Sequence, residues 1–275
     1  MLIDSHCHLH DREFFTEKQA NEMLNRAHQA DVKKIICIGT SHEDSLNAME
    51  FANSHDNVYW TYGIHPEAAT KEGVAFMSQR RGVRSAAARE VAPAARGDGP
   101  AGRAPKRDIN DRPSSLVAIG EVGLDYHYED YDCEAQIRLF EQMCQLAIDN
   151  DLPVSFHVRE AFYDFFPVIE NFPKLRGVVH SFTDSKKILK RILNETEFYV
   201  GVNGLATYST LPTPPLERIL LETDAPFLTP KQFRGIINEP AYVREVATWL
   251  SEKLGEKFEI IEKETTENAR KLFGI

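Results

Sequence analysis

Short apolar runs alternate with amphipathic stretches along most of the 275-residue chain. Eight runs have the length and composition of buried β-strands: residues 2–5, 34–39, 58–62, 116–120, 153–157, 176–180, 197–202 and 218–222. Between them, stretches such as 17–30 and 134–150 carry apolar residues near i, i+3, i+4 and i+7, the spacing of a helix with one buried face. Eight strands separated by helices favour a parallel sheet, and eight strands close a (β/α)8 TIM barrel. We therefore predict a single α/β barrel domain over residues 1–275.

Two segments break this alternation, and the carboxyl-terminal tail is predicted to be helical. Residues 80–107 contain no Leu, Ile, Phe, Tyr or Trp, so they cannot bury enough apolar surface to offset the entropy of ordering them. We predict an irregular, disordered insert over about 80–113. Residues 206–216 contain three prolines, which exclude a crossover helix before the last strand. Residues 241–275 predict two further helices, the second with "TTENA" as its N-terminal cap.

Composition and charge narrow the class of protein. No window approaches 18 uninterrupted apolar residues, and the amino terminus lacks the basic and apolar regions of a signal peptide. The four cysteines show no CxxC pairing, so we predict reduced thiols and a cytoplasmic location, without contact with a membrane. A formal charge of −10 argues against a broad basic surface for duplex DNA. It does not argue against a nuclease, because carboxylates that bind divalent ions make a locally positive site.

Imidazole and carboxylate groups stand at the carboxyl ends of the predicted strands: His6, His8, His65, Glu121, His157, His180 and Asp224. On the first strand, Asp4 shares a face with His6 and His8. All strands of a parallel barrel end on one face, so these groups predict a metal centre there. Imidazole with carboxylate suits Zn, Mn or Mg. Because five or six ligands exceed the usual three of one catalytic ion, we predict two divalent ions bridged by Glu121, an arrangement suited to phosphodiester hydrolysis.

The motifs around these residues are similar to those of a known family. "DSHCHLH", "YGIHPE", "AIGEVGLDYHYE", "PVSFHVREA", "GVVHSFTDS", "ILLETDAPFLTP", "RGIINEPAYV" and "TTENARKLF" resemble, in order and spacing, the TatD family of metal-dependent hydrolases. The resemblance covers nearly the whole chain apart from 80–113 and 206–216. It implies a TIM-barrel deoxyribonuclease, acting as a 3′-5′ exonuclease or DNase on the ends of single-stranded DNA and sometimes RNA, in DNA repair or turnover.

The resemblance also implies roles for individual residues. One ion would be held by His6, His8, Glu121 and Asp224, and the second by Glu121, His157 and His180. Asp224 would orient or deprotonate the attacking water. His65 is a candidate contact for the phosphate or the leaving group. Arg159, two residues beyond His157, is a candidate for bidentate phosphate binding, with a surface ion pair as its alternative. Asn238 and Glu239 are expected to fix the last loop of the barrel face.

Two alternative functions remain open. The first is a small-molecule hydrolase of the amidohydrolase type, which cleaves esters or amides. Those enzymes often bridge their metals with a carboxylated lysine on strand 4, where this chain has Glu121. The second is a non-catalytic protein that has kept the barrel. Such a protein is expected to have lost ligands, whereas every expected ligand is present in this sequence.

Overall fold

The structure, a computed structural model, describes residues 1–69, 115–208 and 210–275. Its eight strands are β1 Leu2–Cys7, β2 Val32–Cys37, β3 Val58–Tyr62, β4 Leu116–Asp125, β5 Val154–Arg159, β6 Gly177–Val179, β7 Tyr199–Val202 and β8 Ile219–Leu221. They pair in parallel in the order of the chain. A bridge between Cys7 and Ala225 joins the two outer strands, so the sheet forms a nearly closed barrel. The predicted TIM barrel is confirmed.

Helices surround this barrel. In the described ranges they are α1 Glu17–Gln29, α2 His42–Ser54, α3 Cys133–Asp149, α4 Phe162–Glu170, α5 Lys186–Glu195, α6 Val243–Leu254 and α7 Phe258–Phe273. The start of α1 shows why the sequence folds this way locally: the Thr16 hydroxyl accepts from Gln19 N, and Thr16 N donates to Gln19 Oε1 at 3.0 Å. The same helix buries Ala20, Met23 and Ala27, the spacing expected of one apolar face.

The predictions for the two irregular segments and for the helical tail compare with the structure as follows: one cannot be compared, one is confirmed and one is wrong in part. The predicted insert at 80–113 lies outside the described residues. Between β7 and β8 the described residues form only two short 3-10 turns, Gly204–Thr207 and Leu216–Arg218, which confirms that no crossover helix stands there. The prediction that "TTENA" caps the last helix is wrong, because residues 265–269 lie inside α7, which begins after Lys257.

The interior position of "TTENA" has a physical reason. Buried Thr265 donates to the carbonyl of Ile261 one turn earlier at 2.8 Å. The amide of Asn268 donates to the carbonyls of Leu216 and Ile219, both at 2.9 Å. Backbone carbonyls therefore accept the hydrogen bonds of both buried polar side chains. The carbonyls that Asn268 contacts belong to the segment that leads into β8.

The buried side chains of the described residues form two clusters. A large cluster of buried side chains packs between the sheet and the helices. A second cluster, which includes Ile3, Val178 and Leu220, packs against Leu272 and Phe273 at the end of α7. The Thr266 hydroxyl donates to the carbonyl of Met1 at 2.8 Å, which fixes α7 at the amino-terminal end of the strands. All four cysteines are free, and no helix of the described ranges is long and apolar enough to cross a membrane.

Candidate metal centre

Glu121 lies at the centre of the carboxyl-terminal face and is 4% exposed. Its Oε2 lies 3.5 Å from His6 Nε2 and 4.0 Å from His8 Nε2. Its Oε1 lies 2.5 Å from His157 Nδ1 and 2.7 Å from His180 Nε2. The two oxygens of one carboxylate therefore face two different pairs of imidazoles.

Asp224 completes the group on the side of His6 and His8. Its Oδ1 lies 3.5 Å from His6 Nε2 and 3.3 Å from His8 Nε2. Its own amide donates to the carbonyl of His6 at 2.8 Å, so the segment after β8 is fixed to the end of β1. Burial raises the pKa of Asp224, but the His8 hydrogen bond and the charges of His6 and His180 outweigh burial and hold that pKa below its usual value. Asp224 is therefore a carboxylate at neutral pH.

These donor atoms fit divalent ions. His6 Nε2, the nitrogen that faces Glu121 and Asp224, is buried and has no hydrogen-bond partner among the described residues. Ligand atoms on one ion with bonds of about 2.1 Å lie roughly 3.0–3.4 Å from one another. The separations of 3.3 and 3.5 Å between Asp224 and the two imidazoles are close to that range. Two triads, one of His6, His8 and Glu121 and one of Glu121, His157 and His180, each have ligand atoms within 4.8 Å of one another.

Without metal, the imidazoles on the two sides of Glu121 differ in their protonation. Burial and the nearby charge of His180 lower the pKa of His6 to about 4. Burial also acts to lower the pKa of His180, but Glu121 outweighs it and raises that pKa to about 10. The imidazole of His180 is therefore protonated at neutral pH, so binding of an ion at its Nε2 would release a proton.

His65 and Arg159 lie at the edge of the same group. His65 Nε2 is 3.8 Å from Glu121 Oε1, and its ring centroid is 4.4 Å from that of His157. Burial, followed by the charge of His157, lowers the pKa of His65 to about 4, so this imidazole is neutral at pH 7. The guanidinium of Arg159 lies 5.6 Å from the ring centroid of Tyr128. Against desolvation by burial, hydrogen bonds from His157 and His127 and the charges of His157 and Arg159 lower the pKa of Asp125, so the charge of Arg159 acts on that carboxylate.

Sequence reasoning missed Asp125. Its Oδ2 accepts from His157 Nε2 at 2.9 Å, which leaves Nδ1 of that ring directed at Glu121. The Asp125 backbone is fixed in turn by Gln136, whose side chain accepts from Asp125 N at 2.8 Å. Asp125 is four residues beyond Glu121 on β4, so the alternation of a strand was the available signal for it.

Sequence reasoning also missed Glu222, which is fully buried beside His180. Its Oε1 accepts from Ser181 N at 2.6 Å and lies 3.8 Å from His180 Nδ1. Burial raises the pKa of Glu222 to about 7. Asp4, which the alternation of β1 places on the face of His6, accepts from Thr223 N at 2.9 Å and Thr223 Oγ1 at 2.6 Å. Asp4 therefore fixes the backbone next to Asp224.

The loop after β8 is held as expected. The Asn238 amide donates to the carbonyls of Thr223 and Phe227 at 2.8 and 2.5 Å. Glu239 accepts from Arg26 Nε at 2.9 Å. These bonds fix the loop that follows Asp224. A cavity of about 1230 Å³ opens at the carboxyl ends of the strands, and its lining includes His8, Glu121, His157, His180 and Asp224.

Comparisons with known proteins agree with this geometry. The family model of the TatD-related DNases matches residues 3–274. The chain is 32% identical over 287 aligned residues to a Bacillus subtilis protein described as the uncharacterized metal-dependent hydrolase YabD, with 100% of each chain covered. It is 29% identical to the 3′-5′ ssDNA/RNA exonuclease TatD of Pantoea ananatis, again with 100% of each chain covered.

A solved structure is also similar. The crystal structure of YJJV, a TatD homologue from Escherichia coli, superposes with a TM-score of 0.81 at 28% identity and covers 100% of this chain and 98% of its own. The family model matches nearly the whole chain, and the open face of the barrel carries this set of imidazoles and carboxylates. The chain belongs to the TatD-related DNase family of metal-dependent hydrolases.

Proposed function

We propose that this chain hydrolyses the phosphodiester bonds of single-stranded DNA and RNA from the 3′ end, with two divalent ions of Mg, Mn or Zn. The observation that supports this most directly is the position of Glu121, whose two oxygens face separate imidazole pairs. A bridging carboxylate is the arrangement expected for two ions that act on one phosphodiester. The relative in Pantoea ananatis, described as a 3′-5′ ssDNA/RNA exonuclease, supports the choice of reaction. A role in DNA repair or turnover in the cytoplasm is part of the proposal.

The proposal assigns the ligands as the resemblance implies. His6, His8 and Asp224 would hold one ion, His157 and His180 the other, and Glu121 both. A pair of such ions supplies the charge that activates water and neutralises the attacking and leaving oxygens. Hydrolysis adds the water oxygen to phosphorus and breaks the bond to the leaving oxygen.

The remaining groups orient the reactants. Asp224 is ionised at neutral pH, so it orients the attacking water and receives its proton. His65 is neutral, and its ring can donate a hydrogen bond to a phosphoryl oxygen or to the leaving oxygen. Arg159 is exposed at the edge of the cavity, and its guanidinium has the planar fork that binds a phosphate through two hydrogen bonds.

Digestion of 5′-labelled single-stranded oligonucleotides tests the proposal. We expect a ladder of products shortened from the 3′ end with Mg²⁺, Mn²⁺ or Zn²⁺, and none with EDTA. Asp224→Asn should lower the rate by about 10²–10⁴-fold, the usual contribution of a positioned acid or base. Asp130→Asn, the same change at an exposed carboxylate, is the matched control and should leave the rate unchanged.

Two outcomes would favour the alternatives. Folded, metal-loaded protein that leaves oligonucleotides intact but cleaves small esters or amides would be an amidohydrolase-type enzyme. Folded, metal-loaded protein that cleaves neither would support the non-catalytic alternative.

A further inference from the structure

Two phenyl rings form one wall of the cavity. Phe14, in the loop after β1, is 47% exposed, and Phe227, in the loop after β8, is 45% exposed. Their ring centroids are 5.2 Å apart with an interplanar angle of 85°. Both rings line the cavity that contains Glu121. Large apolar side chains left exposed together beside a polar cavity indicate a surface that is covered by a ligand.

Phe227 is held in place by its backbone. Its amide donates to the carbonyl of Asp224 at 2.8 Å, and its carbonyl accepts from Asn238 at 2.5 Å. Its ring centroid lies 6.3 Å from that of His8. The backbone of Phe227 is therefore fixed beside Asp224, so a ligand that covers the ring needs little ordering of this loop.

The opposite wall of the cavity has a different character. Arg159, the last residue of β5, and Tyr128, in the loop after β4, lie there. Phe14 and Phe227 follow β1 and β8. In the circular order of eight strands these two pairs are half a barrel apart. Glu121 belongs to β4, and its carboxylate faces His6 and His8 of the β1 side with one oxygen and His157 and His180 of the β5 and β6 side with the other. This order matches the parts of a nucleic acid strand. The aromatic wall would face a base, the metal centre the scissile phosphodiester, and the wall with Arg159 the next phosphate.

We propose that Phe227, supported by Phe14, is a stacking platform for the unpaired base of the terminal nucleotide, while Arg159 binds the phosphate on the other side of the scissile bond. The inference rests on the proposed function and adds a base-binding subsite to it. Stacking on a phenyl ring tolerates every base, because each base has a π-face. A paired terminal base is already stacked in its duplex, so the platform favours single strands.

The first test measures kcat/KM for two oligonucleotides that differ only in the terminal 3′ nucleotide, which either carries thymine or is abasic. Stacking on an aromatic side chain predicts a preference for the base of about 5- to 150-fold in the wild type. Phe227→Ala should bring this ratio close to one, and Phe227→Trp should retain it. Tyr163→Ala removes an aromatic side chain that is 88% exposed on α4, outside this wall, and should retain the full ratio.

The second test measures binding without cleavage. In Asp224→Asn protein, an oligonucleotide with 2-aminopurine at its 3′ end should lose fluorescence as that base stacks. Adding Phe227→Ala to the same protein should abolish the loss, and adding Phe227→Trp in its place should restore it.

The two tests separate failure of the platform from failure of the nuclease proposal. Cleavage by the wild type with an unchanged base preference in Phe227→Ala would overturn the platform and leave the proposed function intact. No cleavage together with a fluorescence loss that depends on Phe227 would support the platform and reject the nuclease. Absence of both cleavage and fluorescence loss would overturn both.

Discussion

Asp125 orients the imidazole of His157 through a hydrogen bond. Replacing Asp125 by asparagine therefore tests whether this bond helps His157 to bind one of the two proposed ions. The carboxylate accepts Nε2–H of His157 at 2.9 Å, and the two side chains are only 2% and 15% exposed. This bond places the proton on Nε2 and leaves the Nδ1 lone pair free for an ion beside Glu121. Asparagine keeps the volume and one acceptor oxygen but removes the charge.

The size of the effect follows from the charge of this hydrogen bond. A hydrogen bond to a charged group contributes about 1.5–3 kcal/mol, compared with about 1 kcal/mol for a neutral one. The difference of about 0.5–2 kcal/mol corresponds to an ion bound about 2- to 30-fold more weakly on the His157 side, since 1.4 kcal/mol is a factor of ten. The loss could reach about 100-fold if the imidazole also turns. The ion at the His6 and His8 side should be unaffected, because Asp125 contacts neither ring.

Competition with a chromophoric chelator measures both binding steps. We expect one affinity to fall in Asp125→Asn and the other to stay at the wild-type value. Glu160→Gln is the matched control, since Glu160 also lies 2.6 Å from a histidine nitrogen, that of exposed His127. Equal affinities in Asp125→Asn and the wild type, or equal weakening of both steps, would refute the assignment.

Two other substitutions test the surroundings of the centre. Asp44 lies 3.0 Å from buried His10, and against desolvation by burial Asp44 and Cys37 together raise the pKa of His10 to about 10, while His10 lowers the pKa of Asp44. The pair therefore stabilises the fold fully between about pH 4 and 6.5 and progressively less toward pH 10. Asp44→Asn should lower the free energy of unfolding in urea by about 1.5–3 kcal/mol at pH 6 and by less at pH 9; equal losses would contradict this. In Gly63→Ala the new methyl group would overlap the peptide between Gly120 and Glu121, so both ions should bind more weakly; wild-type affinities would show that the strand relaxes without moving Glu121.

The positions of the proposed ligands could be predicted from the sequence because they depend on one local property. Each lies at the end of an apolar run, and in a parallel barrel all such ends share one face. The eight predicted strands correspond to the eight observed ones, so His6, His8, Glu121, His157, His180 and Asp224 meet as expected. Proline content likewise predicted the missing helix before β8, because proline excludes a helix wherever the rest of the chain lies.

The supporting groups depend on contacts that periodicity does not reveal. Asp4 bonds to Thr223, 219 residues away, and Asp125 bonds to His157, 32 residues away. Phe14 and Phe15 are identical neighbours in the sequence, yet one is 47% exposed on the cavity wall and the other is 4% exposed in the core. The periodicity of a strand or helix predicts which of its faces is buried. It does not predict which side chain from a distant part of the sequence contacts that face. The order of apolar runs was therefore enough to predict the barrel and the place of its proposed metal ligands, because both follow from local periodicity. Closure of the sheet decided the orientation and protonation of these side chains and the walls around them, because these depend on contacts between distant residues.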